Sequence, residues 1–202
     1  VILTSIILAL TMDSFLIPLF FMLSVGMAIV YNMGTNFIQG EISFITEALA
    51  AVLQLAVTID YSIFLWHSYK EEKEKHPGDN KEAMAVAIGK TITSVVSSSI
   101  TTVAGFLALC FMSYELGMDM GIVMAKGVVI GVICCITVLP SMILVFDKAL
   151  EKTMHKDLVP SLEKPSKFII KHHAAFIVLF IVVLIPAVYG QINTCLFYTS
   201  DA

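Results

Sequence analysis

Five runs of about twenty mostly apolar residues divide this chain, at 15–33, 47–66, 91–112, 120–146 and 168–189, with a ten-residue apolar stretch, 1–10, ahead of them. About 20 such residues in a helix cross the ~30 Å hydrocarbon layer of a bilayer. Backbone groups in lipid must be satisfied internally, which a helix does for itself. The fold class expected is therefore all-α and polytopic: a transmembrane helix bundle with five full spans and one partial one. Composition agrees, because only 14% of the residues are charged, against roughly a quarter in soluble domains.

All twelve basic residues are lysines, and eleven of them fall in two segments. Lys70, Lys73, Lys75, Lys81 and Lys90 lie in 67–90; Lys148, Lys152, Lys156, Lys164, Lys167 and Lys171 lie in 147–171. Basic residues concentrate in cytoplasmic loops of membrane proteins, so segments 67–90 and 147–167 are expected to be cytoplasmic. The loops at Thr35 and Ser113 then face outward, and Lys126 near the outer end of its span snorkels toward that surface. Within 67–90, Pro77 and Gly78 break the chain, and Asp79 with Glu82 three residues on forms a capping-box-like helix start. The short helix after it, with Met84, Ala87 and Ile88 on one side, is expected to lie along the membrane surface before the next span.

The four cysteines, Cys110, Cys134, Cys135 and Cys195, show no paired spacing and read as small packing residues. No His or Cys pair has metal-ligand spacing, so neither metal nor cofactor is expected, and His172 and His173 mark a solvated helix start. The triplet Gly89-Lys90-Thr91 resembles the end of a phosphate-binding loop, but Met84 stands where that loop needs glycine. Nothing in the chain suggests a nucleic-acid partner or enzymatic catalysis.

Against this apolar background Asp60 stands out. An ionised Asp in mid-span costs at least ~2.5 kcal/mol, so such residues face a protein interior or a wet cavity and are put to use. Asp60 is accordingly expected to be buried and to bind and release a proton, with Tyr61 offering a hydrogen bond. On the same helix Gln54, Thr58 and Tyr61 share one stripe, and Asp60 lies about 100° round from Tyr61. On the following span Ser94, Ser98, Thr101 and Gly105 fall within about 60° of one another, flanked by Ser97. That stripe is expected to pack closely and offer hydroxyls across the interface, and Gly127 and Gly131 on the next span have the small-xxx-small spacing of close helix contacts.

The run TIDYSIFLWHSYKEEKEKHPGDNKEAMAVAIGKTITSVVSSSITTVAGFLAL resembles the MMPL family of the RND superfamily, in which a span carrying a D-Y pair is followed by a charged loop and a Ser/Thr-rich span. TVLPSMILVFDKALEK resembles the end of that family's sixth span. The resemblance implies an RND/MMPL-type, sterol-sensing-domain-like bundle. Residues 1–146 form a first-half bundle, 147–167 a connector, 168–189 the first span of a second half, and 190–202 the start of an extracytoplasmic domain. It also implies an internal fragment of a multi-pass cell-membrane exporter of lipids or other hydrophobic molecules, driven by the proton gradient. Asp60 and Tyr61 match the first-half proton-relay pair. The second D-Y span and the extracytoplasmic domains would be partners of this fragment, alongside the lipid bilayer. A sterol-sensing-like lipid-binding regulatory module and a SecDF-like accessory to protein export share the architecture and are the alternatives. The family often carries Arg after the D-Y pair; this chain has only Lys.

Overall fold

A computed structural model describes residues 2–38, 42–111, 115–154 and 163–193. Among these the chain is helical throughout, with one isolated bridge between Ser14 and Met154. It divides into two units, Val1–Leu158 and Val159–Ala202.

The first unit holds α1 (Ile2–Thr11), α2 (Leu16–Gly34), a 3-10 turn (Thr35–Ile38), α3 (Phe44–Lys75), α4 (Asn80–Leu109), α5 (Glu115–Val145) and α6 (Asp147–Thr153). Of these, α2 to α5 are long and apolar enough to cross a membrane. The core sits where they converge, and Phe21, Val25, Leu65, Leu139 and Ile143 are enclosed there. Gly127 and Gly131 let α5 approach closely: a Cβ at Gly131 would stand 2.5 Å from Thr58 Oγ1, and one at Gly127 would stand 2.7 Å from Asn32 Nδ2. Gly121 plays the same part toward α4, where an added Cβ would lie 2.6 Å from the Phe106 carbonyl oxygen. No such contact exists at Gly105, which is exposed with open space beside it, so its expected packing role is corrected.

The charged segment 67–90 is not a loop. With 32 residues, α3 is about 48 Å long at 1.5 Å per residue, and it carries its helix through the Lys/Glu run to Lys75. These residue types are good helix formers, and ion pairs along the rod reinforce it: Lys75 Nζ lies 2.5 Å from Glu71 and 3.0 Å from Glu72, while Lys90 reaches Glu72 at 2.6 Å. The break is confined to 76–79. There Asp79 N–H donates to the His76 carbonyl at 3.2 Å, and Gly78 takes a φ of +91°, as a type II turn with Pro-Gly at its centre requires. Asp79 Oδ1 then accepts from Glu82 N–H at 3.0 Å, the cap anticipated from sequence. The helix it starts runs unbroken to Leu109, so the expected surface helix is the first two turns of α4 itself, with Met84 and Ala87 buried. Likewise α5 begins at Glu115, inside the stretch read as a loop.

In the second unit α7 (Glu163–Lys171) and α8 (His173–Asn193) meet at His172. The span expected at 168–189 is thus divided, and α8 is the part long and apolar enough to cross a membrane. His172 N–H donates to the Phe168 carbonyl at 3.1 Å, and the Phe168 and Phe176 rings meet edge to face across the junction. The expectations for Ser113, Lys156 and Cys195, and for most of 190–202, lie outside the described residues.

Candidate functional site

The polar residues of α3 divide between two faces. Thr46, Gln54, Thr58, Tyr61 and Ser62 are buried. Asn32 Nδ2, from α2, donates to Gln54 Oε1 at 3.0 Å and to the Val123 carbonyl of α5 at 3.3 Å. Thr58 packs on Gly131, and Ser62 Oγ donates to the Thr58 carbonyl at 2.8 Å. Gln54, Thr58 and Tyr61 therefore do share a buried stripe, as their spacing indicated.

Tyr61 points to α4. Its hydroxyl lies 3.0 Å from Ser99 Oγ, which is also 2.6 Å from the Val95 carbonyl oxygen. Ser99 is the donor in both contacts, its one hydrogen shared between the phenol oxygen and the Val95 carbonyl. The phenol is thereby turned away from Asp60 and held at the α3–α4 interface.

Asp60 occupies the other face. It is exposed, contrary to the expected burial, because the core-facing rungs at this level belong to Ile59, Tyr61 and Ser62. It makes no hydrogen bond or ion pair among the described residues. The expected interface for the α4 stripe is corrected in the same way: Ser94, Ser97, Ser98, Thr101 and Gly105 are exposed, and Ser99 is the α4 serine that turns inward. The two outward sets are nevertheless related. Because α3 and α4 run antiparallel and touch at Tyr61 and Ser99, the preceding residue on each, Asp60 and Ser98, turns about 100° to the same side of the pair. The first unit thus leaves one polar face uncovered at mid-span, with a carboxylate on α3 and hydroxyls on α4.

A third polar group closes the Lys70 end of the unit and was not read from the sequence. Asp147, the first residue of α6, is buried and accepts from Tyr69 Oη at 3.0 Å, Lys73 Nζ at 2.7 Å and Asn80 Nδ2 at 2.5 Å. Lys73 also reaches Glu151 at 2.9 Å. Buried Asp13, in the turn between α1 and α2, pairs with Lys70, and Ser14 meets Thr153 of α6 at 2.7 Å. At the opposite end Lys126 Nζ donates to Asn36 Oδ1. Cys134 and Cys135 are buried free thiols, and Cys110 is half-buried beside Gly121. Among the described residues no three His, Cys, Asp or Glu side chains gather closely enough to hold a metal ion.

Comparison with known proteins places this geometry in a family context. The family described as MMPL family matches residues 1–161. A Streptomyces coelicolor protein named ActII-3 is 30% identical over 147 residues, covering 70% of this chain and 20% of its own length. MJ1562 of Methanocaldococcus jannaschii is 35% identical over 96 residues, 48% of this chain and 24% of that protein. Membrane protein YdfJ of Bacillus subtilis is 24% identical over 205 residues, 96% of this chain and 28% of YdfJ. The chain therefore spans about a fifth to a quarter of the length of these curated relatives. No solved structure matches it.

Proposed function

The chain belongs to the MMPL family, and from that premise we propose that it is part of a secondary transporter that exports lipids or other hydrophobic molecules at the expense of the proton gradient. The observation that carries the reading is Asp60, a carboxylate midway along an apolar helix on a face that its own unit leaves uncovered. A carboxylate on such a face is charged while water reaches it. It is driven toward the neutral form when an apolar or like-charged surface closes over it. Alternate covering and uncovering by a second bundle would load and release one proton per cycle, with the α4 hydroxyls offering hydrogen bonds on the same side. Tyr61, held by Ser99, stands one residue away as the second member of the relay. The second bundle would come from the remainder of the protein, where a matching D-Y span is expected.

Export direction rests on sidedness, which the lysines support: the end of the bundle carrying Lys70, Lys73, Lys75 and Lys90 faces the cytoplasm of a cell-membrane protein. Single cysteines at Lys75 and Lys148, in a background freed of native cysteine, should resist an impermeant thiol reagent on intact cells and react after permeabilisation. Labelling of both from outside would reverse the topology. A regulatory lipid-sensing module of similar architecture needs no titrating acid, and a SecDF-like accessory would act on protein export rather than on lipids.

The deciding experiment is substrate efflux driven by a pH gradient, in proteoliposomes of the full-length parent at matched protein levels. Asp60→Asn keeps size and most hydrogen bonding but cannot titrate, and should abolish coupling. Efflux by Asp60→Asn that still follows the gradient rules out the proton-relay reading.

A further inference from the structure

The buried face of α3 poses a problem of its own. Asn32 Oδ1, Gln54 Nε2, Thr58 Oγ1 and Ser24 Oγ are all enclosed and have no hydrogen-bond partner among the described residues. Leaving a buried polar group unpaired costs about 1–3 kcal/mol, and lipid offers nothing to pair with. The two amides are joined through one edge, Asn32 Nδ2 to Gln54 Oε1, which leaves one acceptor and one donor over. Exchanging O and N in both side chains would set Asn32 Oδ1 against the Val123 carbonyl oxygen, so the orientation is fixed.

The ligand that fits is fixed by that surplus. A cation would satisfy the amide oxygen and strand the N–H; an anion would do the reverse. Water donates and accepts at once. The residues around the pair are small: Ala28 and Ala50 lie one turn before Asn32 and Gln54 on their own helices, both almost fully enclosed, and Gly127 faces the pair from α5. Thr58 follows Gln54 by one turn, about 6 Å along α3, and Ser24 precedes Asn32 by about 12 Å along antiparallel α2. The amides and Thr58 thus occupy successive levels of one seam, facing Gly127 and Gly131 of α5. We infer that the α2–α3–α5 seam is a water-binding site inside the membrane layer, with one water bridging Asn32 Oδ1 and Gln54 Nε2 and the seam continuing past Thr58. This site lies on the opposite face of α3 from Asp60 and stands apart from the transport reading.

Radiolytic hydroxyl-radical footprinting of the full-length protein tests it, because bound water generates radicals where it sits. Met124 adjoins Val123, the acceptor for Asn32, and packs in the cluster with Ala50. Met84 is also buried, at 2% exposure against 7% for Met124, but belongs to the apolar core. Met124 should oxidise several-fold faster than Met84, and Asn32→Leu or Gln54→Leu should bring it down to the Met84 rate. Equal rates in the native protein would mean that the amides close on each other without water. A fast Met124 that persists in either variant would mean that water reaches it by another route. Either result overturns the inference, and the native comparison decides even where a variant fails to fold.

Discussion

On α3, two polar faces roughly 120–160° apart round the helix meet different surroundings. The face carrying Gln54 and Thr58 is packed against α2 and α5, where a Cβ added at Gly127 or Gly131 would collide with Asn32 or Thr58. Asp60 is exposed and makes no hydrogen bond or ion pair among the described residues, and the hydroxyl stripe of α4 beside it is equally open. Polar groups in a membrane protein therefore serve two ends here. On the enclosed side they fix how three helices pack. On the open side the Asp60 carboxylate is left exposed.

The contrast can be broken from either side. The largest functional effect is expected from Asp60→Asn, which should remove gradient-coupled efflux while leaving the apparent unfolding midpoint of the solubilised full-length protein near that of the native one. Gly131→Val should do the opposite. Its new side chain collides with Thr58 Oγ1, and overpacking of this kind costs about 1–3 kcal/mol, so the midpoint should fall well before any specific coupling defect appears. A Gly131→Val protein as stable as the native one would show that the two helices are not locked. Tyr61→Phe sits between the faces and should have the smallest effect. It removes one hydrogen bond, to Ser99, worth about 0.6–2 kcal/mol in a membrane, and should slow efflux without abolishing it. Complete loss would instead make the phenol an obligatory proton carrier.

How much of this was legible beforehand follows from what a helical wheel can know. Spacing placed Gln54, Thr58 and Tyr61 on one stripe, set Asp60 aside from them, and picked out Gly127 and Gly131 as contact glycines; all of that depends only on the 100° step. Which stripe faces the core depends on neighbours far away in sequence. The open placement of Asp60 and of Ser94, Ser98 and Thr101 was therefore misread as an interface. Charge misled in another way: 67–75 looked like a loop because it is polar, yet Lys and Glu propagate a helix readily, and only Pro77 and Gly78 stop it. Asp13 and Asp147 were passed over because each is an isolated acid at the edge of an apolar run, and the donors that give it meaning come from helices dozens of residues away. Asn32, a single polar residue, and Ser99, the last of three consecutive serines, were hidden in the same fashion, because only the packing supplies their partners, Gln54 and Tyr61.

Asp147 also constrains what kind of motion the first unit allows. One carboxylate at the end of α5 ties down the far end of α3 through Tyr69 and Lys73 and the first residue of α4 through Asn80. Sliding α3 lengthwise past α6 would break the Tyr69 and Lys73 bonds together, whereas a small tilt about that point stretches them little. The knot therefore acts as an anchor for the Lys75 end of α3, and Asp60, nine residues before Tyr69, sits about 14 Å along the rod from it.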